Sequence, residues 1–213
     1  MASTFSALVT ETKDFLNRDD LTDAKVASFI GLAEAHMNKR LRVREMVERS
    51  TTALNEEYEY VPSDFLEARR IYISNTSPTH ELRAMSPQAL TRAYSGATAG
   101  RPQAYAIISS QMQFRPPPDS GSAYTLEMAY YARIAALSDT NQSNGVLDNY
   151  EDLYLYATCA VASTYLLDDQ GVARYGGLRD RLIEEANAAT DAHQYAAGSL
   201  VVEGIHAVAG SFR

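Results

Sequence analysis

Strand-like segments separated by Pro and Gly occupy the middle of this chain, from Tyr58 to Tyr131, whereas the residues on both sides follow helical spacing. The clearest segment is Tyr124–Tyr131, in which Tyr124, Leu126, Met128 and Tyr130 recur at every second position. Side chains of a strand point alternately to its two faces, so this pattern indicates a strand. A β-region inserted between helices predicts an α+β fold that is mainly α.

The predicted architecture is a helical bundle body with an inserted small antiparallel β-lobe and an extended C-terminal arm. Residues 1–55 are expected to form the N-terminal helices of the body, 56–135 the lobe, 136–197 the C-terminal helices and 198–213 the arm. A chain of 213 residues can hide about 70% of its unfolded surface, so it can build a core without disulfides or metal.

Capping and turn residues predict where the elements end. Thr22 is expected to cap a second helix that extends to about Val47. A further helix is expected over about Asp148–Asp168, with Gly171 as the residue that stops it. A final helix is expected over about Tyr175–Ala196. The other predicted elements are a short first helix over Phe5–Phe15, a strand ending at Pro62, a strand over Arg69–Ser74, a short run around Leu82, a helix over Pro87–Tyr94, and a hairpin of Ala104–Ile108 with Gln111–Arg115.

Acidic residues outnumber basic ones, 27 against 19, which gives a net charge of −8. Such a chain repels a phosphate backbone, so generic binding to DNA or to a membrane is disfavoured. We expect weak or no binding of free DNA, and a tight, salt-sensitive complex in a gel-shift assay would contradict this.

No window approaches the roughly 20 apolar residues that span a bilayer, and the N-terminus has no signal-peptide pattern, so we expect a protein of the reducing cytosol.

Catalytic signatures do not appear in the sequence. It has no Gly-x-Ser-x-Gly elbow, no phosphate-binding loop and no His-Glu-x-x-His helix. His36, His80, His193 and His206 are scattered without metal-ligand spacing, and Cys159 in its apolar run is interpreted as a core residue. The sequence therefore predicts no enzyme, no cofactor and no metal, while an active site assembled from distant residues stays an alternative.

Five basic residues follow the second helix: Lys39, Arg40, Arg42, Arg44 and Arg49. Cations at this position suit the negative end of a helix dipole. A second interpretation is that they pair with acids of a neighbouring subunit or contact passing phosphate. Arg40, Arg42 and Arg44 are therefore candidate inter-subunit or channel residues, and the sequence leaves both interpretations open.

The last segment, 198–213, is neither charged like a disordered tail nor apolar enough for a core element. Ordering about 16 residues costs on the order of 16 to 32 kcal/mol of backbone entropy. The segment therefore needs a sheet edge or a partner groove to become fixed. Its candidate binding residues are Leu200, Val201, Val202, Ile205, Val208 and Phe212.

Short motifs from about Asp20 to Ala189 occur in an order that resembles tailed-phage head-to-tail adaptor proteins. They are Asn38–Arg42, Tyr60–Leu66, Gly100–Tyr105, Phe114–Pro116, Tyr130–Ile134, Leu137–Ser138, Asn144–Leu147 and Leu153–Ala157. The resemblance implies a structural protein of the virion's head-tail connector, assembled in the bacterial host cytoplasm. Two alternatives remain, a tail-completion or stopper protein and a virion-associated hydrolase.

Proteins of that family form a homo-oligomeric ring, usually dodecameric, beneath the portal protein and extend the DNA channel toward the tail. The resemblance implies that residues 198–213 dock on the portal and that tail or nozzle proteins are further partners. It also implies that genomic DNA passes through the channel without specific binding and that no membrane takes part.

Overall fold

The computed structural model describes residues 4–119, 121 and 123–196. Helices dominate both ends of this part of the chain, and one short helix lies in its middle. The helices are α1 Phe5–Leu16, α2 Asp23–Arg40, α3 Pro87–Ala93, α4 Gly145–Asn149, α5 Glu151–Tyr165 and α6 Asp169–Ala196.

Two four-stranded sheets form the middle of the chain. The strands are β1 Val47–Leu54, β2 Tyr58–Tyr60, β3 Phe65–Ile73, β4 His80–Glu81, β5 Arg83–Ala84, β6 Ala104–Ile108, β7 Gln111–Arg115 and β8 Tyr124–Ala132. One sheet has the order β1-β8-β3-β4 and the other β2-β7-β6-β5. Every pairing is antiparallel except that of β5 with β6. The predicted fold class, α+β and mainly α, is confirmed.

The described residues form three apolar clusters, of which the two larger lie under most of these elements. The helical cluster surrounds α5, which buries Leu153, Tyr154, Ala157 and Cys159 against α1, α2 and α6. The lobe cluster lies between the two sheets and includes Ile71, Phe114 and Met128. The predicted division at residues 55, 135 and 197 stays a prediction, and the predicted arm, 198–213, lies outside the described residues.

Local sequence signals set several of these boundaries as expected. The side chain of Thr22 accepts a hydrogen bond from the backbone N–H of Lys25, which confirms it as the cap of α2. Ser86 caps α3 in the same way, with Pro87 as the first helical residue. The hairpin of β6 and β7 has the predicted bounds, and Ser109 in its turn adopts a left-handed φ of 57°.

The second helix ends at Arg40, so its predicted extension to about Val47 is wrong. Leu41 and Val43 leave the helical path and are fully buried in the helical cluster. The chain then forms β1, which pairs along its whole length with β8, from Val47 opposite Tyr131 to Leu54 opposite Tyr124. Pairing with a distant strand overrides the local helical pattern at this point.

The predicted boundaries around Gly171 are also wrong. Asn144, rather than Asp148, caps the return to helix, because its side chain accepts from the N–H groups of Val146 and Leu147. Gly171 does not end a helix but lies in the first turn of α6. Its own N–H donates to Asp168, and a Cβ at this position would overlap that side chain.

Three strand boundaries of the lobe differ from the predicted ones. β2 ends at Tyr60 rather than at Pro62, and β3 begins at Phe65 rather than at Arg69. The run around Leu82 is divided between β4 and β5, which belong to different sheets.

A buried carboxylate ties α2 to the segment that leaves the lobe. Glu34 Oε1 accepts from the N–H of Leu137 at 2.9 Å and from the hydroxyl of Tyr154 at 3.2 Å. Asn144 donates to the same hydroxyl at 2.8 Å, so the network joins α2, α5 and the cap of α4. Burial raises the pKa of Glu34 above its ordinary value, although both hydrogen bonds act in the opposite direction.

We predict that Glu34→Gln changes how stability depends on pH. A group whose pKa is raised in the folded state contributes its full stabilisation below its ordinary pKa of 4.5. That stabilisation is lost as the pH rises through the folded-state pKa. The variant has no such titration. The free energy of unfolding of both proteins can be measured in urea. The difference between them should shift in favour of the variant as the pH rises from 4.5 to neutral.

Glu48→Gln is the matched control, since Glu48 is exposed, and its difference from the parent should change little over the same range. A shift in favour of the parent as pH rises would show that the pKa of Glu34 is lowered instead.

Candidate interaction surfaces

Arg40 joins the end of α2 to α6. Its guanidinium lies 2.9 Å from Asp180 and 3.7 Å from Glu184. Asn187, one turn further along α6, donates to the carbonyl of Arg40 and accepts from the N–H of Arg42. A half-exposed ion pair contributes little by itself, but here it accompanies two side-chain hydrogen bonds to the backbone at the helix end.

Arg42 is the most enclosed of the three candidate arginines, with 26% of its side chain exposed. It donates to the carbonyls of Asn38 and Leu41 and pairs with Glu67 of β3 at 2.9 Å. Its guanidinium also lies 5.8 Å from the ring centre of Tyr131 on β8. These contacts fix the end of α2 against the first sheet.

Arg44 is the most open of the three, with 73% of its side chain exposed. It pairs with the neighbouring Glu45 at 2.8 Å, at the mouth of a cavity of about 320 Å³ that Arg69 and Tyr150 also line. The second carboxylate oxygen of Glu45 is buried and has no hydrogen-bond partner within the described residues. The structure thus places the three arginines in different environments, and their contact with a neighbouring subunit stays a prediction.

Removing the guanidinium at these positions should have unequal effects on stability. Arg42→Ala leaves two backbone carbonyls without their donor and should lower the free energy of unfolding by about 1 to 3 kcal/mol. Arg44→Ala, the matched control, should change it little, because that side chain is largely exposed. Urea unfolding of both variants would measure this, and equal losses would contradict the structural role of Arg42.

An apolar patch lies at one end of the second sheet. Tyr60 on β2 and Ile108 on β6 both lie opposite Gln111 of β7, the strand between them, so their side chains share one face of the sheet. The side chain of Tyr60 is 75% exposed. Beside the patch is a groove of about 450 Å³ between the turn of the β6–β7 hairpin and the segment that joins β2 to β3. This lobe groove is lined by Val61, Pro62, Phe65, Leu66, Ile107 and Arg133, among others.

A second apolar feature is Leu167, between α5 and α6. Its side chain is 88% exposed, and its backbone has a left-handed φ of 58°. The sequence pattern placed Leu167 on the apolar face of the helix predicted to reach Asp168, which is wrong because α5 ends at Tyr165. The lobe groove was not identified from the sequence, because exposure depends on the packed fold. The one local signal is that Leu stands just after α5, at a helix-end position where Gly is common.

Negative charge is concentrated in the C-terminal helices. Residues 136–197 carry ten acidic and three basic side chains, a net charge of −7 out of the total of −8. The acids include Asp180 and Glu184 of α6, which face Arg40. The rest of the chain is therefore close to neutral.

The other candidate groups lie apart from one another. His36 lies on α2 and His80 on β4, while the side chain of His193, the residue His206 and the predicted portal-binding residues of 198–213 fall outside what is described. Within the described residues no group of three or more His, Cys, Asp or Glu could hold a metal ion. Burial raises the pKa of the Cys159 thiol to about 12.

In the described part of the chain, no helix combines the length and the apolar content that crossing a membrane requires.

The structure defines a mainly helical α+β protein. Apolar and charged surfaces are open to contact on both its lobe and its helices. A family model described as SU10 adaptor protein matches residues 3–202, nearly the whole chain. The chain belongs to this family, which confirms its resemblance to phage head-to-tail adaptors. A comparison with curated proteins finds no match.

Membership of the family assigns the protein a structural adaptor role as a component of the phage virion. It also implies association with other capsid or tail components.

Proposed function

We propose that this protein is a head-to-tail adaptor that forms a dodecameric ring beneath the portal and extends the DNA channel toward the tail. The observation that carries the proposal is the family match over residues 3–202. The ring would belong to the head-tail connector of the virion and assemble in the host cytoplasm. Tail or nozzle proteins are its proposed partners on the side away from the portal.

The charge distribution supports a channel that does not hold DNA. A surface rich in Lys and Arg binds the phosphates of DNA and releases the counterions condensed on them, so it binds DNA tightly at low salt. Here the C-terminal helices have a net charge of −7, and Arg40 and Arg42 are engaged within the chain. Arg44, with the most open side chain of the three, is the proposed contact with a neighbouring subunit or with passing phosphate.

Native mass spectrometry of the full chain with the portal protein of the same phage tests this proposal. The expected result is a complex with one adaptor subunit for each portal subunit. A chain that does not bind the portal but binds tail components would be a stopper or tail-completion protein instead. A monomer that binds neither would overturn the adaptor role.

The C-terminal segment is the proposed portal anchor, through Leu200, Val201, Val202, Ile205, Val208 and Phe212. We predict that deleting 198–213 leaves thermal unfolding unchanged and abolishes co-purification with the portal. The reason is that a segment of 16 residues with six apolar candidate side chains, costly to order alone, gains most from a partner groove. A deletion of the N-terminal residues 1–3 is the control and should retain binding.

A truncated protein that unfolds at a much lower temperature would instead make 198–213 part of the core. Full retention of portal binding by a folded truncated chain would withdraw the anchor assignment.

A further inference from the structure

Leu167 combines two features that are unfavourable in an isolated subunit. Its large apolar side chain is 88% exposed, and its φ of 58° lies in a region that L-residues with a Cβ rarely adopt. Gly at this position would remove both the strain and the exposed apolar surface. Among the residues that the structure describes, little packs against this side chain, which leaves it free to contact another molecule.

The turn that carries Leu167 is firmly held. The N–H of Asp168 donates to the carbonyl of Ser163 at 3.0 Å, and the N–H of Val172 donates to the carbonyl of Asp168 at 2.9 Å. Gly171 donates to the Asp168 side chain, with no space for a Cβ beside it. A side chain held on such a rigid turn loses little conformational freedom when it binds.

The lobe groove offers a complementary surface. Its walls include the half-buried side chains of Val61, Phe65 and Leu66, together with the exposed Ile107. Its volume of about 450 Å³ leaves space for a branched aliphatic side chain and part of the turn that carries it. Phe65 is itself fixed by stacking on Tyr130, with ring centres 5.7 Å apart, so the groove is preformed.

Charge points to a second copy of this chain as the occupant. Asp168 and Asp169 directly follow Leu167, and Asp169 is exposed. At the groove, Arg133 is exposed and has no ion pair among the residues that the structure describes. An apolar side chain followed by an exposed acid therefore matches an apolar groove with an exposed cation beside it.

We propose that Leu167 of one copy inserts into the lobe groove of a second copy, where Asp169 faces Arg133. The inference rests on the ring proposed above and assigns residues to its subunit interface. The two surfaces lie on different parts of the subunit, so the contact is heterologous. Each copy then offers one turn and one groove, and a series of such contacts closes into a ring when the rotation per subunit allows it.

Leu167→Gly separates assembly from folding, because Gly suits the left-handed turn. Its unfolding temperature should equal or exceed that of the parent, while rings measured by mass photometry, with the portal present as template, should be lost. Leu32→Ala is the control: Leu32 is an exposed apolar residue of α2, 53% open, and its replacement should leave rings intact.

Pairs of cysteines test proximity directly. The native Cys159 is buried, so thiols introduced by Ile107→Cys and Leu167→Cys are the accessible ones. Under mild oxidation each single variant should stay uncrosslinked, their mixture should give dimers, and the double variant should give a ladder of covalent oligomers. Crosslinking within the Leu167→Cys variant alone would overturn the heterologous contact.

The outcomes separate the inference from the proposed function. If the parent forms rings on the portal and Leu167→Gly forms them equally well, the inference is overturned and the adaptor role stands. If the parent stays monomeric at every concentration and ignores the portal, the ring and the inference both fail.

Discussion

The buried carboxylate of Glu34 is the interaction on which the arrangement of helices and sheets depends. It holds the backbone of Leu137, just beyond the last strand, and the hydroxyl of Tyr154 on the central helix. One turn along α2, the side chain of Asn38 accepts from the N–H of Ile134 in the same way. Two polar residues of α2 therefore fix the path by which the chain leaves the lobe, where unpaired backbone groups would be costly.

The sequence predicted those parts of the fold that depend on neighbouring residues. Thr22, Ser86 and the β6–β7 hairpin are local signals, and the structure has them where we expected. Strand β1 was missed because its partner, β8, lies far along the chain and the Ser50–Thr52 segment has no apolar alternation. Gly171 was taken as a helix stop, whereas its small size serves close packing against Asp168.

The candidate surfaces were predictable to a smaller extent. The sequence identified Arg40, Arg42 and Arg44 as a group, but their partners Asp180 and Glu67 lie on distant elements, so only the fold shows which of the three stays open. The lobe groove and the exposure of Leu167 arise only after packing. Family membership could be recognised from motif order alone, since that order does not depend on where side chains point.

The concentration of ten acidic residues in 136–197 has a consequence for any array of these subunits. If copies lie side by side in one orientation, each adds the same charge of −7 to the array, and mobile cations have to gather around it. Assembly therefore changes the number of ions held by the protein. In such an array, the ionic strength of the solution would therefore influence when subunits come together, separately from the shape of any contact they make.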